Sequence, residues 1–179
     1  MQDHFQTLNL PREAALNPDT VKARFQELSR DLHPDAGNND DKAFAALNAA
    51  QSCLSRASTR LKHLIELETG EAPPSRNTMS PGLMDLFSPV ADILSKADHY
   101  IARKSRTTTA LAKAMLSKDA PELIQQLMLT GGEISAYRKN LDEQLTQAKV
   151  SSDLAPLAHE FSFIEKWQSQ VQERMGNML

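Results

Sequence analysis

The chain has one cysteine, Cys53, among 179 residues, which excludes an intramolecular disulfide and any cysteine-rich metal site. Glycine and proline are few, six and nine residues, the composition of an ordinary soluble protein. Aromatic residues make up 5%, too few for a large aromatic core in either half. The net charge of −3 gives no basic field, so neither nucleic acid nor a membrane surface is expected as a partner. No apolar run approaches the length of a membrane span, and Met1-Gln2-Asp3-His4 does not begin a signal peptide. A cytoplasmic protein of one domain or two small ones is the expectation.

What is present is helical patterning. No stretch alternates with period two, while apolar residues recur at three- and four-residue intervals, which predicts an all-α chain. Phe5, Leu8 and Leu10 form a short apolar cluster that Pro11 ends. Asn17-Pro18-Asp19 reads as a helix start, with Asn17 as N-cap, Pro18 at the first helical position and Asp19 favouring the dipole. Val21, Phe25, Leu28 and Leu32 then lie on one helical face. Residues 40–67 continue in helical spacing with an interruption around Ser55 to Ser58, and Gly70 is a C-terminal stop. The Pro-containing stretch 71–79 reads as a linker.

Beyond it, Ser80-Pro81 opens a short helix, and Ser88-Pro89 is either a kink or a fresh start. Val90, Ile93, Leu94, Ala97, Ile101, Leu111 and Met115 predict a long helix, with Thr107-Thr108-Thr109 lowering its local propensity. A second starts at Asp119-Ala120-Pro121-Glu122; its Gly131-Gly132 pair costs about 2 kcal/mol relative to two alanines and permits a bend. Ser152 or Asp153 caps a third, whose stripe runs Leu154, Leu157, Phe161, Ile164, Trp167 or Gln168, and Val171. The fold class expected is therefore a small helical domain over residues 1–70 and an antiparallel three-helix bundle over 80–179, together L-shaped.

The most informative local feature is His33-Pro34-Asp35 at the end of the amphipathic segment. Proline pushes the residue before it out of helical geometry, so the helix stops near Leu32 or His33 and the tripeptide begins a polar loop, Gly37-Asn38-Asn39-Asp40. Preceded by Arg24-Phe25-Gln26-Glu27-Leu28-Ser29-Arg30-Asp31-Leu32, it resembles the J domain of DnaJ-type co-chaperones, and among them the HscB type of iron–sulfur cluster assembly. Asp3-His4-Phe5, Leu47-Asn48-Ala49-Ala50 and Arg60-Leu61-Lys62-His63-Leu64-Ile65 are similar to further segments of that family, as are Leu83-Met84-Asp85 and Phe163-Ile164-Glu165-Lys166 in the second half.

The resemblance implies a non-enzymatic protein with no cofactor and no catalytic residue. Its J domain would engage a DnaK/HscA-type ATPase chaperone, with His33, Pro34 and Asp35 as the trigger and Lys22, Arg24 and Arg30 as the basic face. Its bundle would hold the IscU-type cluster scaffold through Leu83, Met84, Phe87 and Phe163. Where the family has a strongly acidic segment, this chain reads Ser88-Pro89-Val90-Ala91-Asp92-Ile93, with one carboxylate. That departure favours the alternative of a general J-domain co-chaperone with another or an unfolded client. A helical adaptor in which the tripeptide is incidental is a third reading.

Other assignments compete for the same residues. The three basic side chains can be an ordinary solvated face, and Leu83, Met84 and Phe87 can be core as readily as surface. Cys53 reads as a small packed residue. His4, His63, His99 and His159 show no ligand spacing with one another, with Cys53 or with carboxylates, so no metal site is expected.

Overall fold

A computed structural model of the chain describes residues 2–31, 41–74, 79–148 and 151–178. Every regular element among them is a helix: α1 (His4–Thr7), α2 (Pro18–Asp31), α3 (Asp41–Leu54), α4 (Ala57–Thr69), α5 (Pro81–Arg106), α6 (Ala110–Leu116), α7 (Ala120–Gln147) and α8 (Ser151–Met178). None is long and apolar enough to cross a membrane among the described residues. The chain divides into two compact units, one of Met1–Arg76 with Leu141–Ser162 and the other of Asn77–Asn140 with Phe163–Leu179.

In the first unit the helix boundaries follow local chemistry. Asp3 caps α1, its Oδ1 accepting from the amides of Phe5 at 2.9 Å and Gln6 at 3.2 Å. Asn17 Oδ1 accepts from the Asp19 amide at 2.8 Å, so the first turn of α2 has the cap its sequence announces. Gly70 ends α4 at φ 78°, a left-handed turn in which its amide bonds to the Glu66 carbonyl at 2.9 Å. α1 and α2 pack on α3, and α3 on α4. Phe5, Leu8, Val21, Leu54, Leu61 and Phe161 are fully buried there. Phe25 and Leu28 are only half-buried, and Leu32 lies outside the described residues.

The second unit departs from expectation at its breaks. Pro89 does not interrupt α5, which runs unbroken from Pro81 to Arg106 with Pro89 inside it. Ser80 supplies the cap, accepting from the Leu83 amide at 3.3 Å. The break comes instead at the threonines. Thr107 Oγ1 donates to the Arg103 carbonyl at 2.7 Å, and Thr109 Oγ1 accepts from the Ala112 amide at 3.3 Å, so one side chain closes α5 and the other opens α6. Leu111 and Met115, read as a continuation of the long stripe, consequently stand exposed on α6 at 75% and 64%. The Gly131-Gly132 pair sits inside a continuous α7. A Cβ on Gly131 would meet Val171 Cγ1 at 3.6 Å, an ordinary van der Waals contact, and one on Gly132 would meet nothing within 4 Å. Neither position therefore needs glycine for space, and tertiary packing carries the helix through its weak local propensity. Arg174 ties α8 to α5 through Asp98, Nε to Oδ1 at 3.0 Å and Nη2 to Oδ2 at 3.1 Å.

Candidate functional site

The expected ATPase-facing residues lie on and just after α2. His33, Pro34 and Asp35 fall outside the described residues. Lys22 and Arg30 are exposed on α2. At about 100° per residue they lie roughly 80° apart around the axis, whereas Arg24 is about 160° from Lys22. Arg24 is half-buried beside the apolar face and bonds Glu27 at 2.7 Å, one turn on. The cations therefore divide into an outward pair and one flanking residue already engaged by a carboxylate.

The expected scaffold-binding residues separate more sharply. Leu83 has no exposed surface. It stands two turns before Val90, which is 1% exposed, and belongs to the same buried stripe of α5, so it is withdrawn from the surface set. Met84 is 63% exposed and Phe87 50%. Phe87 meets Trp167 edge-on at a ring-centroid distance of 6.3 Å, and half-buried Phe163 meets the same indole at 5.8 Å. Trp167, itself 6% exposed, is thus a rigid floor between two aromatic walls, with Met84 one turn from Phe87 on α5.

A third constellation escaped the sequence reading. His4 on α1, Cys53 on α3 and His63 on α4 come together, one donor atom from each lying within 4.8 Å of the other two. The His4 and His63 rings are 4.6 Å apart and tilted by 40°. His63 Nε2 accepts from the His4 amide at 3.1 Å, and Phe5 stacks on the His63 ring at 5.9 Å. Cys53 donates weakly to the Thr59 carbonyl at 3.8 Å, and Thr59 Oγ1 returns a hydrogen bond to the Cys53 carbonyl at 2.5 Å. The cluster draws on three helices, which no spacing in the chain reveals.

Electrostatics at this cluster favour neutral forms. Burial lowers the His4 pKa against a smaller upward pull from Asp3. Burial and the neighbouring His4 lower that of His63, with Asp3 and Glu66 opposing and Arg12 adding to the fall. Burial pushes the Cys53 thiol up, with Arg60 opposing. Asp3 goes the other way. Burial alone would raise it, but the hydrogen bond from Arg12, at 2.8 Å from Nε, and those from Gln6 and Phe5 hold it below the ordinary carboxylate value.

A histidine depressed in the folded state binds its proton more readily when unfolded, so stability rises with pH across that window. Chelator-treated protein is expected to keep its full unfolding temperature above about pH 6.5, the ordinary imidazole value, and to lose it progressively below. His63→Phe should flatten that part of the profile; an unchanged profile would show that the pair does not carry it.

Residues 3–63, from the cap of α1 into α4, match the DnaJ domain family. No curated protein sequence matches it. Among solved structures its fold is that of the chaperone HscB from Vibrio cholerae, with a TM-score of 0.58 and 19% identity over 99% of this chain and 100% of that one. The human co-chaperone protein HscB matches at a TM-score of 0.43 and 16% identity, covering 94% of this chain and 81% of that one.

Proposed function

We propose that the protein is a J-type co-chaperone that stimulates the ATPase of a DnaK/HscA-type chaperone and delivers to it an IscU-type iron–sulfur cluster scaffold. One observation carries the reading: a DnaJ domain at the head of a chain that shares the HscB fold along nearly its whole length. In this reading residues 1–70 act as the J domain, 71–79 as the linker and 80–179 as the scaffold-binding bundle. The protein has no reaction of its own. It favours the hydrolysis-competent state of the ATPase, which makes its effect a coupling between J-domain binding and client binding. Lys22 and Arg30 serve encounter with an acidic partner surface, a contribution that salt screens.

Met84, Phe87 and Phe163 supply the scaffold contact in this reading. Exposed Met84 and Phe87 and half-buried Phe163 beside a buried tryptophan have the character of an interface centre. A second reading, a general co-chaperone for another or an unfolded client, is favoured by the sole carboxylate, Asp92, in the segment 88–93 and by the additional exposed apolar pair Leu111 and Met115.

Single-turnover ATP hydrolysis by a DnaK-type chaperone from the same cell tests both readings. The protein is expected to accelerate it, His33→Gln to abolish the acceleration, and the scaffold to amplify it. Acceleration indifferent to the scaffold would favour the general co-chaperone. No acceleration under any condition would overturn the J-protein reading.

A further inference from the structure

We propose that His4, Cys53 and His63 form a binding site for one transition-metal ion of zinc type, held by two imidazoles and a thiolate with a fourth position open to water. The donor set is the first argument. One sulfur and two nitrogens, with no carboxylate among them, suit Zn2+ and its spectroscopic substitute Co2+ and do not suit Mg2+ or Ca2+, which take oxygen ligands. Three protein ligands with an open fourth position is a recurring zinc arrangement.

Geometry is the second. Bond lengths of about 2.1 Å to nitrogen and 2.3 Å to sulfur place tetrahedral ligand atoms roughly 3.3–3.6 Å apart. The three donors here lie within 4.8 Å of one another, so closing on an ion takes movements of about an ångström, within reach of side-chain rotation.

The third is an unmet hydrogen-bonding atom. His4 Nδ1 is buried and has no partner. A buried polar atom of this kind calls for an explanation, and a missing ligand is one. Packing alone accounts for a small half-buried cysteine but leaves that nitrogen unexplained.

The cluster is also held from outside. Asp3 locks the turn that carries His4, accepting from two amides of α1 and pairing with Arg12 at 2.6 Å. The hydrogen bond from Thr59 Oγ1 to the Cys53 carbonyl ties the backbone at Cys53 to α4, and His63 follows Thr59 by one turn; the weak bond from the thiol to the Thr59 carbonyl is given up with the thiol proton. On binding, the Cys53 thiol gives its proton to solvent and both imidazoles ligate as neutral bases. The ion takes the His63 Nε2 lone pair that the His4 amide now uses, so that amide bond is exchanged for a metal bond.

The test is a Co2+ titration of the tag-free full chain, reduced and stripped with chelator. One equivalent is expected to produce a thiolate-to-cobalt charge-transfer band, and Zn2+ is expected to bleach it. Cys53 is the sole cysteine, so the band has one source in the chain, and Cys53→Ser must abolish it. His4→Gln and His63→Gln, checked for native helicity, should weaken Zn2+ binding by more than the ~10–100-fold that loss of an outer hydrogen-bond partner costs. Zn2+ should also raise the unfolding temperature of the wild type and not that of Cys53→Ser. No charge-transfer band in the folded wild-type protein would overturn the site, as would saturation at half an equivalent or an equal Zn2+ stabilisation of Cys53→Ser.

Discussion

Arg60→Ala is expected to lower stability by about 3–5 kcal/mol. Arg60 is 3% exposed on α4, an unusual position for a guanidinium. Its Nε donates to the Ala14 carbonyl at 2.9 Å and its Nη1 to the Leu54 carbonyl at 2.8 Å. Leu54 is the last residue of α3, so its carbonyl is one of the four that a helix end leaves without an internal partner. Ala14 lies in the segment between α1 and α2. One planar side chain therefore closes a helix end and pins the loop that leads into α2. Each charge-assisted bond contributes about 1.5–3 kcal/mol, and truncation leaves two carbonyls to find water or stay unpaired. Arg60→Lys should recover only part of the loss, since an ammonium cannot span both carbonyls as a rigid fork does. Denaturant unfolding followed by circular dichroism measures the effect. A loss under about 1 kcal/mol would mean that water replaces the guanidinium at both carbonyls and that Arg60 is no clamp.

Legibility in the sequence tracked how local the controlling physics is. Asn17 and Pro18 at the start of α2, and Gly70 at the end of α4, act through their own backbone geometry, and each stands where its residue type implies. Pro89 and the threonines at 107–109 were harder to rank. A proline inside a helix and a β-branched run both weaken it, and only the tertiary setting decides which interruption survives. α5 tolerates Pro89 because Val90, Ile93 and Leu94 on either side of the next turn are buried. The threonine hydroxyls, by contrast, find backbone partners that end one helix and begin another.

Convergence across helices left no mark in the chain at all. His4, Cys53 and His63 have no spacing in common, and the sole cysteine among leucines and alanines gives no sign of the imidazoles it faces. The same holds for Arg60, whose burial reflects the carbonyls around it rather than its own hydropathy. The exposure of Met84 beside the burial of Leu83 was half legible. The stripe of α5 fixes the phase once Val90, Ile93 and Ala97 are placed in the core, and Leu83 is in that phase.

The pair Leu83 and Met84 supplies a second large effect, because neighbouring residues on one helix should fail in opposite ways. Leu83→Ala removes a side chain with no exposed surface and is expected to cost about 2–5 kcal/mol of stability. Met84→Ala changes a side chain that is 63% exposed, and its stability should move by no more than about 0.5 kcal/mol. Met84→Ala with Phe87→Ala should instead weaken scaffold binding by about 30-fold or more, the factor that corresponds to about 2 kcal/mol at an interface centre. Trp167 lets one signal read both effects. It is the sole tryptophan, it lies in the same unit as both residues, and Phe87 and Phe163 touch it. Its fluorescence should follow unfolding of the Leu83→Ala variant at lower denaturant, and scaffold docking should change its emission in the wild type. Loss of binding by the Met84 and Phe87 double variant at unchanged stability would place the scaffold over the Trp167 floor. Unchanged binding in that variant would move the scaffold contact elsewhere on the protein and leave the pair as ordinary exposed apolar surface.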